Sequence, residues 1–240
     1  MQYRIGCSGF SYKEWKDVFY PPKLPQKRWF EYYCTRFNTL ELNVTFYRFP
    51  QLSFLQNWYD KAPHDFVFSV KAPRVIIHYK RFIDTEQLLT DFYTTIQQGL
   101  KEKLGAVLFQ LPASIEYSEN ILNRIIHQIN PAFTNVIEFR HNSWWNNKVY
   151  VRLAEKDIAF CGVSHPKLSD DIVANTPVAY YRFHGVPKLY CSEYNTATIE
   201  AFSVKLKQLK NISRAYIYFN NTAGTGAINN AEHLKALLGK

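Results

Sequence analysis

The sequence predicts an α/β barrel, a single domain over residues 1–240 with eight parallel strands inside and helices outside. Eight short apolar runs are spaced along the chain, and segments of helical period lie between them. No Gly/Ser/Pro-rich linker, low-complexity stretch or internal repeat interrupts the alternation. The length of 240 residues suits a (β/α)8 barrel, which takes roughly 250. A doubly wound open sheet is the alternative, but no G-x-G-x-x-G turn follows the first run.

Taken in order, the first run is residues 3–7 (YRIGC), and its helix is marked by Trp29, Phe30, Tyr33 and Phe37 on one face. The second, 39–43 (TLELN), is followed by a short Pro-bounded helix over 51–61. The third, 67–71 (VFSVK), precedes the clearest helix, whose Leu88, Leu89, Phe92, Ile96 and Leu100 stop before Gly105. The fourth, 107–110 (VLFQ), leads to Leu122, Ile125, Ile126 and Ile129, opened by Ser118 as N-cap and closed by Asn130-Pro131. The fifth is 136–140 (VIEFR) and the sixth 158–164 (IAFCGVS). The sixth unit is weak, because only a short connection over 166–172 precedes the seventh run, 179–184 (AYYRFH). Ile199, Phe202, Leu206 and Leu209 mark the next helix, 215–220 (AYIYFN) is the eighth run, and Ala231, Leu234, Leu237 and Leu238 mark the last helix.

Hydrophobic content of 47% with 20% charged residues is that of an ordinary folded chain, and 17% aromatic residues supply broad, flat contact surfaces. A net charge of +9 attracts phosphates or acidic surfaces. The basic residues are nevertheless dispersed, as at Lys205, Lys207 and Lys210, which is how a solvated helix face reads. Cys7, Cys34, Cys161 and Cys191 show neither a CxxC pair nor metal-ligand spacing, so reduced thiols in a cytoplasmic protein are expected. The first run opens beside Met1, leaving no room for a signal peptide, and no stretch reaches the roughly 18 apolar residues of a membrane span, so no membrane partner is expected.

Every run ends in a group that an apolar strand does not need. In a parallel sheet these endings gather at the carboxyl edge, where α/β proteins place their chemistry. Residues two apart share a face. Glu41 with Asn43, Ser69 with Lys71, Leu108 with Gln110, Glu138 with Arg140, Arg182 with His184 and Tyr218 with Asn220 therefore point into the barrel. Leu40, Leu42, Val70, Phe109, Ile137, Phe139, Tyr181, Phe183, Ile217 and Phe219 point out to the helices. Cys7 and Ser164 are the polar endings of the first and sixth runs. A buried network in which Glu41 and Glu138 neutralise Lys71, Arg140 and Arg182 is the structural alternative. Apolar layers alone can fill a barrel, however, so six polar endings favour a functional site.

Lys71, Arg140 and Arg182 against Glu41 and Glu138 leave one positive charge in excess, which suits an anionic ligand held by bidentate arginines. Histidines beside carboxylates move protons near neutrality. The expected catalytic set is Glu41, Glu138, His184 and His141. The expected substrate-binding set is Asn43, Lys71, His78, Gln110, Arg140, Arg182 and Asn220, with Trp15, Tyr47 and Trp144 as stacking surfaces that otherwise plug the barrel top. No H-x-x-x-H spacing is present, so neither a metal nor a cofactor is expected.

The same endings and loops carry a resemblance. Gly6-Cys7-Ser8-Gly9-Phe10-Ser11-Tyr12 with Trp15, Phe19-Tyr20-Pro21, Glu41-Leu42-Asn43 with Phe46-Tyr47-Arg48-Phe49-Pro50, and Phe68-Ser69-Val70-Lys71-Ala72-Pro73 with His78 form its first half. Leu108-Phe109-Gln110-Leu111-Pro112, Glu138-Phe139-Arg140-His141 with Ser143-Trp144, Tyr181-Arg182-Phe183-His184-Gly185 and Phe219-Asn220-Asn221 form its second. Together they resemble the YecE-like family, domain of unknown function 72, over nearly the full length. That resemblance implies a TIM barrel and no particular activity; residues 164–171 depart from the pattern.

Three functions follow as expectations. The first is a hydrolase-like enzyme using acid/base chemistry on an anionic substrate, phosphate-bearing, nucleotide or nucleic acid, at the barrel mouth. The second is glycoside hydrolysis by Glu41 and Glu138. The third is a non-catalytic module that binds nucleic acid or a small anion, with salt-sensitive affinity.

Overall fold

The computed structural model describes residues 1–239. Eight strands form one parallel sheet: β1 (Gln2–Cys7), β2 (Thr39–Leu42), β3 (Val67–Lys71), β4 (Leu104–Gln110), β5 (Thr134–Glu138), β6 (Ala159–Ser164), β7 (Val178–Phe183) and β8 (Arg214–Phe219). The ladder runs β1-β8-β7-β6-β5-β4-β3-β2, so the two ends of the sheet, β1 and β2, meet as a nearly closed barrel. Around it lie α1 (Trp29–Arg36), α2 (Val44–Tyr47), α3 (Leu52–Lys61), α4 (Glu86–Leu100), α5 (Glu119–Gln128), α6 (Asn147–Ala154), α7 (Thr196–Gln208) and α8 (Gly226–Leu237). No described helix is long and apolar enough to cross a membrane.

Strand parity divides the core in two. Leu40, Leu42, Val70, Phe109, Ile137, Phe139, Tyr181, Phe183, Ile217 and Phe219 all pack in the outer layer beneath the helices. Leu108, Val136, Cys161, Tyr180 and Tyr218 fill the barrel interior in a separate cluster. The Tyr218 hydroxyl, hydrogen-bonded to Thr39 Oγ1 at 2.6 Å and Ser69 Oγ at 2.9 Å, makes with Tyr180 an aromatic floor whose ring centroids are 5.4 Å apart. Above this floor the interior becomes largely polar, with Glu41, Glu138 and Arg182 buried there.

The seam between β1 and β2 has little ladder of its own, a bridge between Ser8 and Glu41 and a Gly9 N–H to Glu41 C=O bond of 3.0 Å. A side chain completes it. Tyr33, fully buried on α1, accepts from the Cys7 N–H at 2.8 Å and donates to the Thr39 carbonyl at 3.0 Å. Gly6 permits this approach, because a Cβ there would sit 2.4 Å from the Thr39 oxygen and 2.8 Å from the Tyr33 hydroxyl.

The weak sixth unit has no helix at all between β6 and β7. A loop lies on β6 instead, so close at Gly162 that a Cβ would come within 2.7 Å of the Asp171 carbonyl. Asn175 ties this loop down, accepting from the Phe160 N–H at 2.8 Å and donating to the Ile158 carbonyl at 3.0 Å. The start of β4 lies at Leu104, earlier than the apolar run, because the chain passes Gly105 through a register shift against β3.

Candidate active site at the barrel mouth

The carboxyl ends of the strands deliver a two-tier polar cluster. The lower tier is Glu41, Glu138 and Arg182, all with no exposed surface. Arg182 donates from Nη1 to Glu138 Oε2 and from Nη2 to Glu41 Oε1, both at 2.6 Å, so one guanidinium spans two carboxylates. Glu41 also accepts from Ser8 Oγ at 2.5 Å and from the Tyr180 hydroxyl at 2.6 Å. Burial opposes charge on Arg182, but Glu41 and Glu138 hold its guanidinium firmly protonated. Burial likewise acts to raise the Glu138 carboxyl, and Arg140 with Arg182 outweighs it, keeping Glu138 well below the usual carboxylate range.

The upper tier faces the opening. Arg140 Nε donates to Glu138 Oε1, and its Nη2 lies 3.1 Å from His184 Nε2. His184 Nε2 is also 3.1 Å from Glu138 Oε1, while Nδ1 lies 3.0 Å from the Asn220 amide nitrogen. Burial, reinforced by Arg140, drives this imidazole well below its ordinary range, so the ring is neutral: Nε2–H donates to Glu138 and Nδ1 accepts from Asn220.

Lys71 completes the tier on the β3 side. Its Nζ donates to Gln110 Oε1 at 2.9 Å and lies 4.1 Å from the centre of the Phe46 ring. Among the described residues no carboxylate comes within 4.0 Å of it. Burial first, then the nearby Arg182 charge, pulls the ammonium from 10.5 down to about 7, against the attraction of Glu138 and Glu41. His78 lies on the same side, its Nε2 3.2 Å from the Gln110 carbonyl and its ring 5.0 Å from Phe46. Burial lowers its affinity for a proton as well. Asn43, just past β2, has a buried Oδ1 without a hydrogen-bond partner among the described residues.

Four expected site residues lie elsewhere. His141 shares the outward parity of Phe139, and its Nδ1 accepts from the Ser143 N–H at 3.3 Å as the cap of a short turn. Trp144 is fully buried on the outer side, stacked on Phe139 at 4.1 Å and bonded through Nε1 to the Ile115 carbonyl at 2.8 Å. Trp15 is fully buried too, its Nε1 donating to the Gly224 carbonyl at 2.9 Å. The two indoles are packing groups with no face open to a ligand, whereas the His141 side chain is 37% exposed and lies outside the cluster. Tyr47 is 68% exposed on α2, beside the Arg74 guanidinium rather than within the cluster.

Three members of the site were not anticipated. Ser8, not Cys7, is the inward group of the first strand; Cys7 packs in the outer layer, and burial pushes its thiol far up. On β6, Cys161 and Val163 point inward, so the next inward residue is His165, while Ser164 turns outward to the Tyr194 hydroxyl at 2.8 Å. The His165 ring lies 6.2 Å from that of His184, and burial together with Arg140 lowers its proton affinity. Tyr180 supports Glu41 from below. Parity extended one residue past each run would have found Ser8 and His165.

Fold and cluster together define a TIM-barrel protein with a charged, proton-bearing mouth at the carboxyl face of its strands. The chain belongs to the family described as protein of unknown function DUF72, whose model matches residues 4–240. It is 26% identical over 260 residues to UPF0759 protein YunF of Bacillus subtilis, covering 92% of this chain and 90% of that one. A DUF72 family protein from Thermotoga maritima superposes with a TM-score of 0.91 at 27% identity, over 100% of both chains. D-psicose 3-epimerase from Clostridium cellulolyticum, at 9% identity and a TM-score of 0.55 over 100% of this chain and 97% of that one, shares the fold alone.

Proposed function

We propose that this protein is an enzyme that performs acid/base chemistry on a small anionic, phosphate-bearing substrate at the barrel mouth. The observation that carries this reading is Lys71. It is a buried amine with a neutral hydrogen-bond partner and two arginines nearby, poised to titrate near neutrality. Burial costs this ammonium more than its hydrogen bond and the nearby acids return, whereas an incoming anion supplies further countercharge and a reacting group finds a base of matched strength.

In this reading Arg140 and protonated Lys71 receive the anion, Asn43 and Gln110 orient it, and neutral His184 relays a proton with Glu138 fixing its ring. Glu41, Glu138 and Arg182 form the charged platform beneath. Glycoside cleavage by Glu41 and Glu138 draws no support from this geometry, because one guanidinium pairs with both carboxylates.

The test is calorimetric titration with sulfate, which keeps its charge across the relevant pH range. Binding should weaken as pH rises through about 7, where Lys71 loses its proton, and should disappear in Lys71→Met with the fold retained. Sulfate affinity that ignores both pH and Lys71 would remove the anion site from this mouth. Tight binding of many phosphate esters with no turnover of any would favour a non-catalytic module instead.

A further inference from the structure

Two buried lysines invite comparison. Lys103 is 7% exposed, and its Nζ is spent on the Tyr59 and Ala62 carbonyls, both at 2.7 Å, near the end of α3. Lys71 is equally buried at 8%, yet its Nζ has one neutral acceptor, Gln110 Oε1, and otherwise lies over the Phe46 ring. The first is a structural tether. The second is a desolvated primary amine against an aromatic ring with Arg182 and Arg140 nearby, and desolvation beside other cations is what converts a lysine into a nucleophile.

We infer that Lys71 forms an imine with its substrate, and that the substrate class is therefore a carbonyl compound bearing an anionic group, such as a 2-oxo acid or a phosphorylated ketone. This deepens the acid/base reading given above and rests on it. The Nζ lone pair adds to the carbonyl carbon as the C=O π pair moves to oxygen. A proton passes from nitrogen to that oxygen, giving the carbinolamine. The oxygen then leaves as water, carrying the second nitrogen proton, and the C=N bond remains. One further proton on nitrogen makes the iminium, which draws electrons from a neighbouring C–H bond.

The surrounding groups fit each step. The Phe46 ring shields one side of Nζ from water, and Gln110 aims the amine through its hydrogen bond. His78 packs edge-on against the same Phe46 ring with a centroid distance of 5.0 Å, its Nε2 on the Gln110 carbonyl at 3.2 Å, and in this proposal its imidazole moves protons to and from the departing oxygen. Arg140, whose side chain is 9% exposed, offers the anionic group its counterion. A near-neutral amine is also required, since an ordinary ammonium has no lone pair to add.

The experiment treats the full-length protein with pyruvate, glyoxylate or dihydroxyacetone phosphate in the presence of cyanoborohydride, followed by peptide mass spectrometry. Hydride reduces an imine to a stable secondary amine, so the expected result is an adduct on Lys71 exceeding that on any exposed lysine by about tenfold or more. Excess sulfate should suppress it. Lys71→Arg, checked for folding by its melting curve, should abolish it, with His78→Gln slowing adduct formation several-fold as an independent variant that keeps the amine. Labelling confined to exposed lysines, with pH-dependent sulfate binding intact, overturns the imine and leaves the anion site standing. A Lys71 adduct that sulfate does not suppress, in a protein that binds no sulfate, supports the imine and overturns the anion reading instead.

Discussion

Arg182 is the residue on which the mouth depends. Its guanidinium, which solvent does not reach, bridges Glu41 and Glu138 beneath the tier that faces the opening. Removing one member of a buried ionic network strands the others at a cost of about 3–5 kcal/mol. Arg182→Met should therefore lower the unfolding free energy by an amount in that range, measured by urea denaturation. Lys71 behaves in the opposite sense. Its proton affinity is lower in the folded state than in the unfolded chain, so protonation at Lys71 favours unfolding; the cost is full below about pH 7 and fades as pH rises toward 10.5. A tenfold change in proton affinity is worth about 1.4 kcal/mol, so Lys71→Met should stabilise the fold by a few kcal/mol in acid and much less in alkali. Equal stability of variant and parent at low pH would mean that the ammonium is not desolvated. These residues were readable from sequence because strand alternation assigns a face, and a charged residue facing a barrel interior needs a reason. The buried indoles of Trp15 and Trp144 were not readable that way, since loop aromatics carry no periodicity that says whether a ring looks in or out.

At the scale of elements, the β1/β2 seam is the distinctive construction. Tyr33→Phe keeps the ring and deletes the hydroxyl, leaving the buried Cys7 N–H and Thr39 C=O unpaired. Each orphaned buried group costs about 1–3 kcal/mol, so a loss of roughly 2–6 kcal/mol is expected, together with faster hydrogen exchange at the Cys7 amide. Unchanged exchange there would show that the two strands hold each other without the phenol. The strands themselves were evident from their apolar runs, and most helices from their period, including the cap that Ser118 provides to the Ile121 N–H at 3.2 Å. Helix α6 had no comparable apolar signature, and the sixth crossover replaces helical packing with one asparagine and a tightly apposed loop, an arrangement that leaves no periodic trace.

Across the whole molecule, burial and charge separate two populations of the same side chain. Cys7 and Cys161 are fully buried with thiols driven far up, Cys34 is half-buried and pushed up to about 12, and Cys191 is exposed. Native alkylation with iodoacetamide should therefore reach Cys191 first, Cys34 far more slowly, and the other two only on unfolding. Rapid native labelling of Cys7 would mean that the seam beside it opens. The global architecture was accessible from sequence because alternation of strand and helix, repeated to the end of the chain, admits few topologies. The polar cluster was accessible only as a location, since the pairing that distinguishes Lys71 from the acids and arginines around it is settled by distances that spacing along a chain does not encode.

The phenol of Tyr33 also matters in time. β1 leaves the ribosome well before β8, its ladder partner, so that strand waits through β2 to β7 for its eventual neighbour. Tyr33 and Thr39 emerge soon after Cys7, and the bonds among them span short stretches of chain. Short loops close early and cheaply. The side chain that seals the finished ring thus moors the nascent strand to β2, on the edge opposite the one that β8 later fills.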